Sequence, residues 1–489
     1  MGFKDDARFA HFLTLGVEGT AVAAADLSSH HGHSIIELER SSMANKIWRT
    51  KPKRLRLPDL MCVRCGMRIE SRSKSKLQME LSDSHVVGRE WHNDSRPEDL
   101  VAFVQVDLDQ FTLDAAPGPP AYFTIGALSR TRDHAKHGRR KATREGSELS
   151  LVWPTKVATQ TGTITEVTDD VIAIAYTNLA GKPRTSRLSL EGLTPYVSVG
   201  SPVIGRKSFI AGIAKPAQGL TCPGPGWDPR NDLSSPVAVD RYAAVKAIRA
   251  GRFADTESLL TPLAKDPDQR VRMEAAGTLT RLGHERAAVY LGTCALEPRK
   301  DGMAMEAVLI LAEAEHPIAS AELRSVAANE RLPAEMRCAA VWGLGMTGLN
   351  RPQDVWPYVT HSDDDIRMHA IAAIDDIPDD FAQTLVDELS GATPRAAIAA
   401  YLLANGRRIF DLAKAAHQPA SRKWAVEGLG RVAPAEVEAT SALDDELRTV
   451  LEPVWTTRFG QPLASKKTTA RLRELHSQRM RIAPEAYLR

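Results

Sequence analysis

Asp59 and Glu70 stand eleven residues apart in RLPDLMCVRCGMRIESRSK, a spacing suited to chemistry at phosphorus. Asp59 opens the predicted strand PDLMCV, and Glu70 lies in the return strand RIESRSK beyond the tight turn Arg64-Cys65-Gly66. A hairpin brings such positions side by side, and paired carboxylate oxygens are what Mg²⁺ or Mn²⁺ prefers. By the strand period of two, Glu70, Arg72 and Lys74 share one face while Ile69, Ser71 and Ser73 share the other. A carboxylate with cations two and four residues along can hold a metal and stabilise charge on a pentavalent phosphate. The competing reading makes Arg68, Glu70, Arg72, Lys74 and Lys76 the solvated face of an antiparallel strand.

The charge around this hairpin fits a phosphate-bearing partner. Residues 40–76 hold 12 Lys/Arg against Asp59 and Glu70 alone, a balance of 12 − 2 = +10 in a chain whose total is +2. Such a stretch is an electrostatic footprint for a nucleic-acid backbone. Within it Lys46, Arg49, Lys51, Lys53, Arg54 and Arg56 lead directly into Asp59 and are the expected backbone contacts. The segment RTRDHAKHGRRKATR at 130–144 could add to them, or could be a loop.

The elements that must position these residues are legible on either side. FAHFLTLGVEGTAVAAADLSSHHG reads as one helix ending before Gly32, SIIELER as a strand, and DLVAFVQVDL as a further buried strand. One helix followed by three or more strands is an α/β core. In the order GVEGTAVAAADLSSHHGHSIIELER, LPDLMCVRCGMRIESRSK, DLVAFVQVD, the first 110 residues resemble a PD-(D/E)XK nuclease core of the Holliday-junction-resolvase-like branch. The resemblance implies a nuclease fold in which Glu18 is the helical acid, Asp59 the P-D acid and Glu70 the acid of E-x-K. It implies Mg²⁺ (or Mn²⁺) on Asp59 and Glu70. One departure stands out: Arg72 occupies the lysine position, with Lys74 two residues on. Arginine keeps the charge but cannot lose its proton, which favours nucleic-acid binding over turnover.

Cys62 and Cys65 in CVRCG have the turn spacing of a zinc knuckle, and a structural zinc needs four ligands. No other cysteine precedes Cys222, so His85 and His92 are the candidates to complete a Cys₂His₂ set; a turn with two reduced thiols is the alternative. The cluster His30, His31, His33 reads as an exposed helix end, and Cys294 and Cys338 as repeat-helix core. GSPVIGRKSF nearly spells a phosphate-binding loop, but Arg206 intrudes and its flanks read as strands, so nucleotide binding is not expected there.

Beyond this core the chain changes character. Residues 116–221 read as a β-rich module, with TGTITEV, VIAIAYT, RTSRLSL and PYVSVG forming a small barrel or sandwich. Residues 222–238 are a Pro/Gly linker. Residues 239–432 repeat: RMEAAGTL, AMEAVLIL, RCAAVWGLG, RMHAIAAI, RAAIAAYLL and RKWAVEGLG begin at offsets of 32, 33, 30, 28 and 27 residues. Small residues recur where two helices would press together, so the segments resemble HEAT-type repeats and predict an all-α solenoid. Residues 433–489 read as a helical basic tail. Residues 236–450 carry 24 basic and 32 acidic side chains, which points the array towards a protein partner.

The expected fold is therefore multidomain: an α/β nuclease core over 1–115, the β module, and the solenoid. The composition is globular, five cysteines in 489 residues form no disulfide framework, and no apolar stretch is long enough to span a membrane. A cytoplasmic protein is expected, with oligomeric state open. The expected activity is Mg²⁺-dependent cleavage of nucleic acid, DNA favoured, regulated through the solenoid; by fold analogy, prokaryotic defence suits such a partner-triggered cutter. The alternative is a non-catalytic nucleic-acid-binding or scaffold protein built on an inactive nuclease fold.

Overall fold

The computed structural model describes residues 6–38, 55, 57–84, 90–106, 117–143, 146–251, 253–297, 302–346, 351–374, 376–440 and 443–459. The chain divides into two units, one over 1–49 and 53–274, the other over 50–52 and 275–489.

The first unit opens with helix α1 (Asp6–His31), stopped by Gly32 at φ +68°, a left-handed conformation open to glycine without steric cost. Strands β1 (Ile35–Glu37), β2 (Leu60–Cys62), β3 (Arg68–Lys74), β5 (Leu100–Gln105) and β6 (Ala121–Thr124) form one sheet in the order β1-β2-β3-β5-β6. β1, β2 and β3 run as an antiparallel meander, β3 and β5 pair in parallel, and β6 returns antiparallel. The LVAFVQ run of β5 is buried throughout because both faces are covered. On one face Ile69, Leu100, Ala102 and Val104 pack with Leu15, Ala23 and Leu27 of α1. On the other, Val101, Phe103 and Phe123 join Met79, Leu81, Trp91, Leu151 and Trp153. β6 lies beyond position 115, so the first sheet extends into the segment that reads as the β module.

That second core is carried partly by a three-stranded sheet, β4 (Glu80–Ser84), β8 (Gly146–Val152) and β7 (Lys136–Thr143), in the order β4-β8-β7. After it come β9 (Thr155–Val157), β10 (Gly162–Val167), β11 (Val171–Thr177), β12 (Pro183–Ser189), β13 (Thr194–Pro195), β14 (Pro202–Val203) and β15 (Phe209–Gly212). They make two small sheets, β12-β11-β10-β14 and β13-β15-β9, around Ile164, Ile172, Ile174, Leu190 and Ile210. Among the described residues no sheet closes on itself, which corrects the barrel half of the barrel-or-sandwich expectation: each sheet ends in an edge strand with a single neighbour. Of the strands predicted around GSPVIGRKSF, FIAGI is present as β15, whereas YVSV is not a strand and the short β14 falls inside the segment itself.

Apart from α1 and the short helix α2 (Ile125–Arg130), the α-helices follow the sheets: one turn at Pro229–Asp232, then α3 (Ala238–Gly251). The helices of the second unit include Met303–Ala312, Ala334–Met346, Asp364–Ala372, Arg395–Asn405 and Arg422–Leu429, one for each of the last five predicted small-residue segments; the first, RMEAAGTL, lies in the helix Gln269–Arg281. Gly343 shows why those residues are small: a Cβ there would lie 3.0 Å from the Ala312 Cβ. Cys294 and Cys338 are buried. No helix among the described residues is long and apolar enough to cross a membrane.

Candidate functional site

Asp59 immediately precedes β2, and the β2–β3 register pairs Leu60 with Ile69 and Met61 with Arg68. Continued by one residue, that register sets Asp59 opposite Glu70. The Asp59 carboxylate accepts a 2.7 Å hydrogen bond from the Ser71 backbone N–H, which locks it against β3. Pro58, Glu70, Arg72, Ser82 and Trp91 line one recess. Glu70 is ion-paired with Arg72, and the Arg72 guanidinium also donates to the Ser71 carbonyl at 3.0 Å. Lys74 is ion-paired instead with Glu80 on β4. The β3–β5 register runs unbroken from Ile69↔Leu100 to Lys74↔Gln105, so β3 is a regular strand and carries no bulge. Among the described residues the buried Trp91 indole N–H has no hydrogen-bond partner.

Glu18 is exposed on α1, beside Gly19, which abuts Ser73 on the face of β3 opposite Glu70. Among the described residues Glu18, Asp59 and Glu70 do not converge into a three-carboxylate cluster. Lys46, Arg49, Lys51, Lys53, Arg54 and Arg56 lie outside the described residues, as does His85.

The solvated-face reading of β3 fails at its first residue. Arg68 is 2% exposed, donates to Asp99 at 2.7–3.2 Å, and reaches Asp240 of α3 at 3.0 Å. Arg96 joins the same group through Asp240 at 2.7 Å. Burial pushes the Asp99 carboxyl up, against the pull of Arg68 and of the Arg96 N–H and charge.

A second constellation lies at the other side of the hairpin. His33, Cys62, Cys65 and Cys222 place one ligand atom each within 4.8 Å of one another. This is a potential metal-binding site, and its three sulfurs and one imidazole suit zinc better than Mg²⁺ or Mn²⁺. Cys62 and Cys65 are therefore brought together as their spacing predicts, but His92 is not among their neighbours, and its ring stacks obliquely against Trp91 at 5.0 Å. The residues that join them in this cluster are His33 and Cys222. His33 is 5% exposed rather than an exposed helix end, because the chain turns inward after Gly32. Burial opposes ionisation of Cys62, but the Cys65, Arg64 and Ser34 backbone and the His33 ring outweigh it and draw the thiol down to about 7. Burial, with the neighbouring Cys62 and Cys222 sulfurs adding to it, pushes Cys65 up to about 12. Sequence spacing missed Cys222 because 222 − 65 = 157 residues separate it from the knuckle; its one sequence clue is that it is the next cysteine in the chain.

Comparison with known proteins bears on the helical region. The family model of HEAT repeats matches residues 232–312. Among solved structures, the Escherichia coli protein YibA is 15% identical, covering 47% of this chain and 91% of its own, with a TM-score of 0.25. The complex of CpcE and CpcF of phycocyanin lyase from Nostoc sp. PCC7120 is 18% identical, covering 49% and 98%, with a TM-score of 0.24. No curated protein matches this chain. The C-terminal region is a HEAT-like helical repeat.

Proposed function

We propose that this protein is a metal-dependent nuclease cleaving nucleic-acid phosphodiesters, with its HEAT-like region binding a protein partner. The observation that supports this reading is the hairpin register: Asp59 lies opposite Glu70, and Glu70 lines one recess with Arg72. The element order also supports it, since helix, strand, P-D strand and E-x-R strand follow one another as the resemblance implies. Two carboxylates on adjacent strands suit a hard divalent cation. Asp59 and Glu70 would hold Mg²⁺ or Mn²⁺, which when bound supplies Lewis-acid polarisation of the phosphate and a water of lowered pKa. The Ser71 N–H fixes the orientation of Asp59. Arg72, now on Glu70, is the cation able to turn to a phosphate oxygen once the carboxylate is otherwise engaged.

The Glu70–Arg72 pair also favours the second reading, a non-catalytic nucleic-acid-binding protein in which this pair is permanent. Plasmid, single-stranded DNA and RNA incubated with Mg²⁺ or Mn²⁺ distinguish the two. Wild type should cut at least one substrate, and Asp59→Ala should lower the rate about a hundredfold or more while binding persists. Equal product from both proteins would remove Asp59 from the reaction, and binding without product from either would establish the second reading.

A further inference from the structure

We infer that His33, Cys62, Cys65 and Cys222 hold a resident structural zinc ion that fastens segment 217–227 to the first sheet. The inference is independent of the nuclease reading. Zn–S bonds of about 2.3 Å and a Zn–N bond of about 2.0 Å in a tetrahedron put neighbouring ligand atoms about 3.5–3.8 Å apart. Here all four ligand atoms lie within 4.8 Å, and the Cys65 Sγ and His33 Nδ1 are 3.6 Å apart. A small inward movement would close the set on an ion.

The second observation is on the far side of the imidazole. His33 Nε2 lies 2.7 Å from the Leu220 carbonyl oxygen, a contact that requires Nε2 to carry the proton. That tautomer leaves Nδ1, the nitrogen facing Cys65, with its lone pair available for a metal; metal-binding histidines are commonly fixed by such a second contact. The knuckle is also built. The Cys62 N–H donates to the Met67 carbonyl at 2.8 Å and the Gly66 N–H to the Cys62 carbonyl at 2.9 Å. Gly66 sits at φ +74°, and a Cβ there would lie 2.6 Å from the Trp227 indole, so glycine is required twice over.

Four protein ligands leave no open position, so the ion's role is structural. What it joins is visible in the backbone: Ala217 donates to Tyr122, Cys222 to His31, and Gly226 to Arg64, at 2.8, 2.8 and 3.2 Å. The start of the Pro/Gly segment 222–238, with the residues just before it, is a strap laid across the helix end and the knuckle, and Cys222 is its buckle.

Full-length protein purified under reducing conditions should contain about one zinc per chain by mass spectrometry of the metal. Cys222→Ser and Cys62→Ser should each lose that zinc by tenfold or more, whereas Asp59→Ala should keep it, which separates this site from the carboxylate pair. Because a cysteine variant can fail by misfolding, wild type is also exchanged into Co²⁺. Intense visible absorption with sulfur-to-metal charge transfer is expected of a tetrahedral three-thiolate site. Chelation should then open segment 217–227 to protease. Wild type that carries no zinc and gives no such Co²⁺ spectrum, full zinc in a Cys62→Ser/Cys222→Ser double variant, or a Cys62–Cys65 disulfide in the reduced protein would each overturn the site. An unchanged protease pattern after zinc removal would overturn the strap.

Discussion

Arg72 stands where the family resemblance places a lysine, and its guanidinium is paired with Glu70 two residues away on the same strand face. Lys74, the other cation of that face, is held by Glu80. With β3 regular, Lys74 has no bulge to bring it back towards Glu70. Under the nuclease reading Arg72→Ala should therefore reduce cleavage about a hundredfold while DNA affinity changes little, and Arg72→Lys should retain activity. Lys74→Ala should leave the cleavage rate near wild type, since its charge is already spent on Glu80. Rates at saturating DNA, with affinity measured separately, check this; a dead Lys74→Ala beside an active Arg72→Ala would reverse the assignment. The shared face of Glu70, Arg72 and Lys74 was legible because strand alternation is local. The Lys74–Glu80 pair was not, because Glu80 belongs to a different sheet. Likewise His33 looked like the exposed end of a histidine-rich turn, and only the inward path after Gly32 buries it.

At the scale of elements, α1 crosses β3 through Gly19, where a Cβ would lie 1.6 Å from the Ser73 hydroxyl. Gly19→Leu should destabilise the first unit by about 1–3 kcal/mol through overpacking, and adding Ser73→Gly should recover part of that loss. Denaturant unfolding of the single and double variants reads the coupling; additive losses would mean that the two residues do not press on each other. The helix itself was legible from end to end, since its apolar face and its Gly32 stop are written in adjacent residues. The strands of the meander were legible for the same reason. The sheet's fifth strand was not, because β6 follows a long separation and its partner β5 is chosen by tertiary packing on both faces. The small β sheets were read as strands but not as sheets, since short strands carry no mark of whether they close.

At the scale of the whole molecule, the repeat array was the most legible part, because the same packing problem is solved several times at nearly constant spacing. Within the first unit, the tie between α3 and the first sheet was hidden in single charged residues. Asp240 of α3 accepts from Arg68 and Arg96, so the first repeat helix is tied to the hairpin that carries Glu70. Removing one partner from a buried pair leaves the others uncompensated. Asp240→Ala should therefore cost about 3 kcal/mol, and Arg96→Ala in the same background should add less than it does alone. Chemical unfolding of the full chain measures both, and a change below 1 kcal/mol would show that Arg68 is satisfied by Asp99 without help.

The position of Cys222 sets a timetable for the newborn chain. His33, Cys62 and Cys65 leave the ribosome before Cys222, and the fourth ligand follows 157 residues after Cys65. At about 5–20 residues per second that is an interval of roughly 8–30 s. Throughout it the nascent chain presents two cysteines and a histidine with one corner of the tetrahedron missing. The cluster can close only once that last cysteine has emerged.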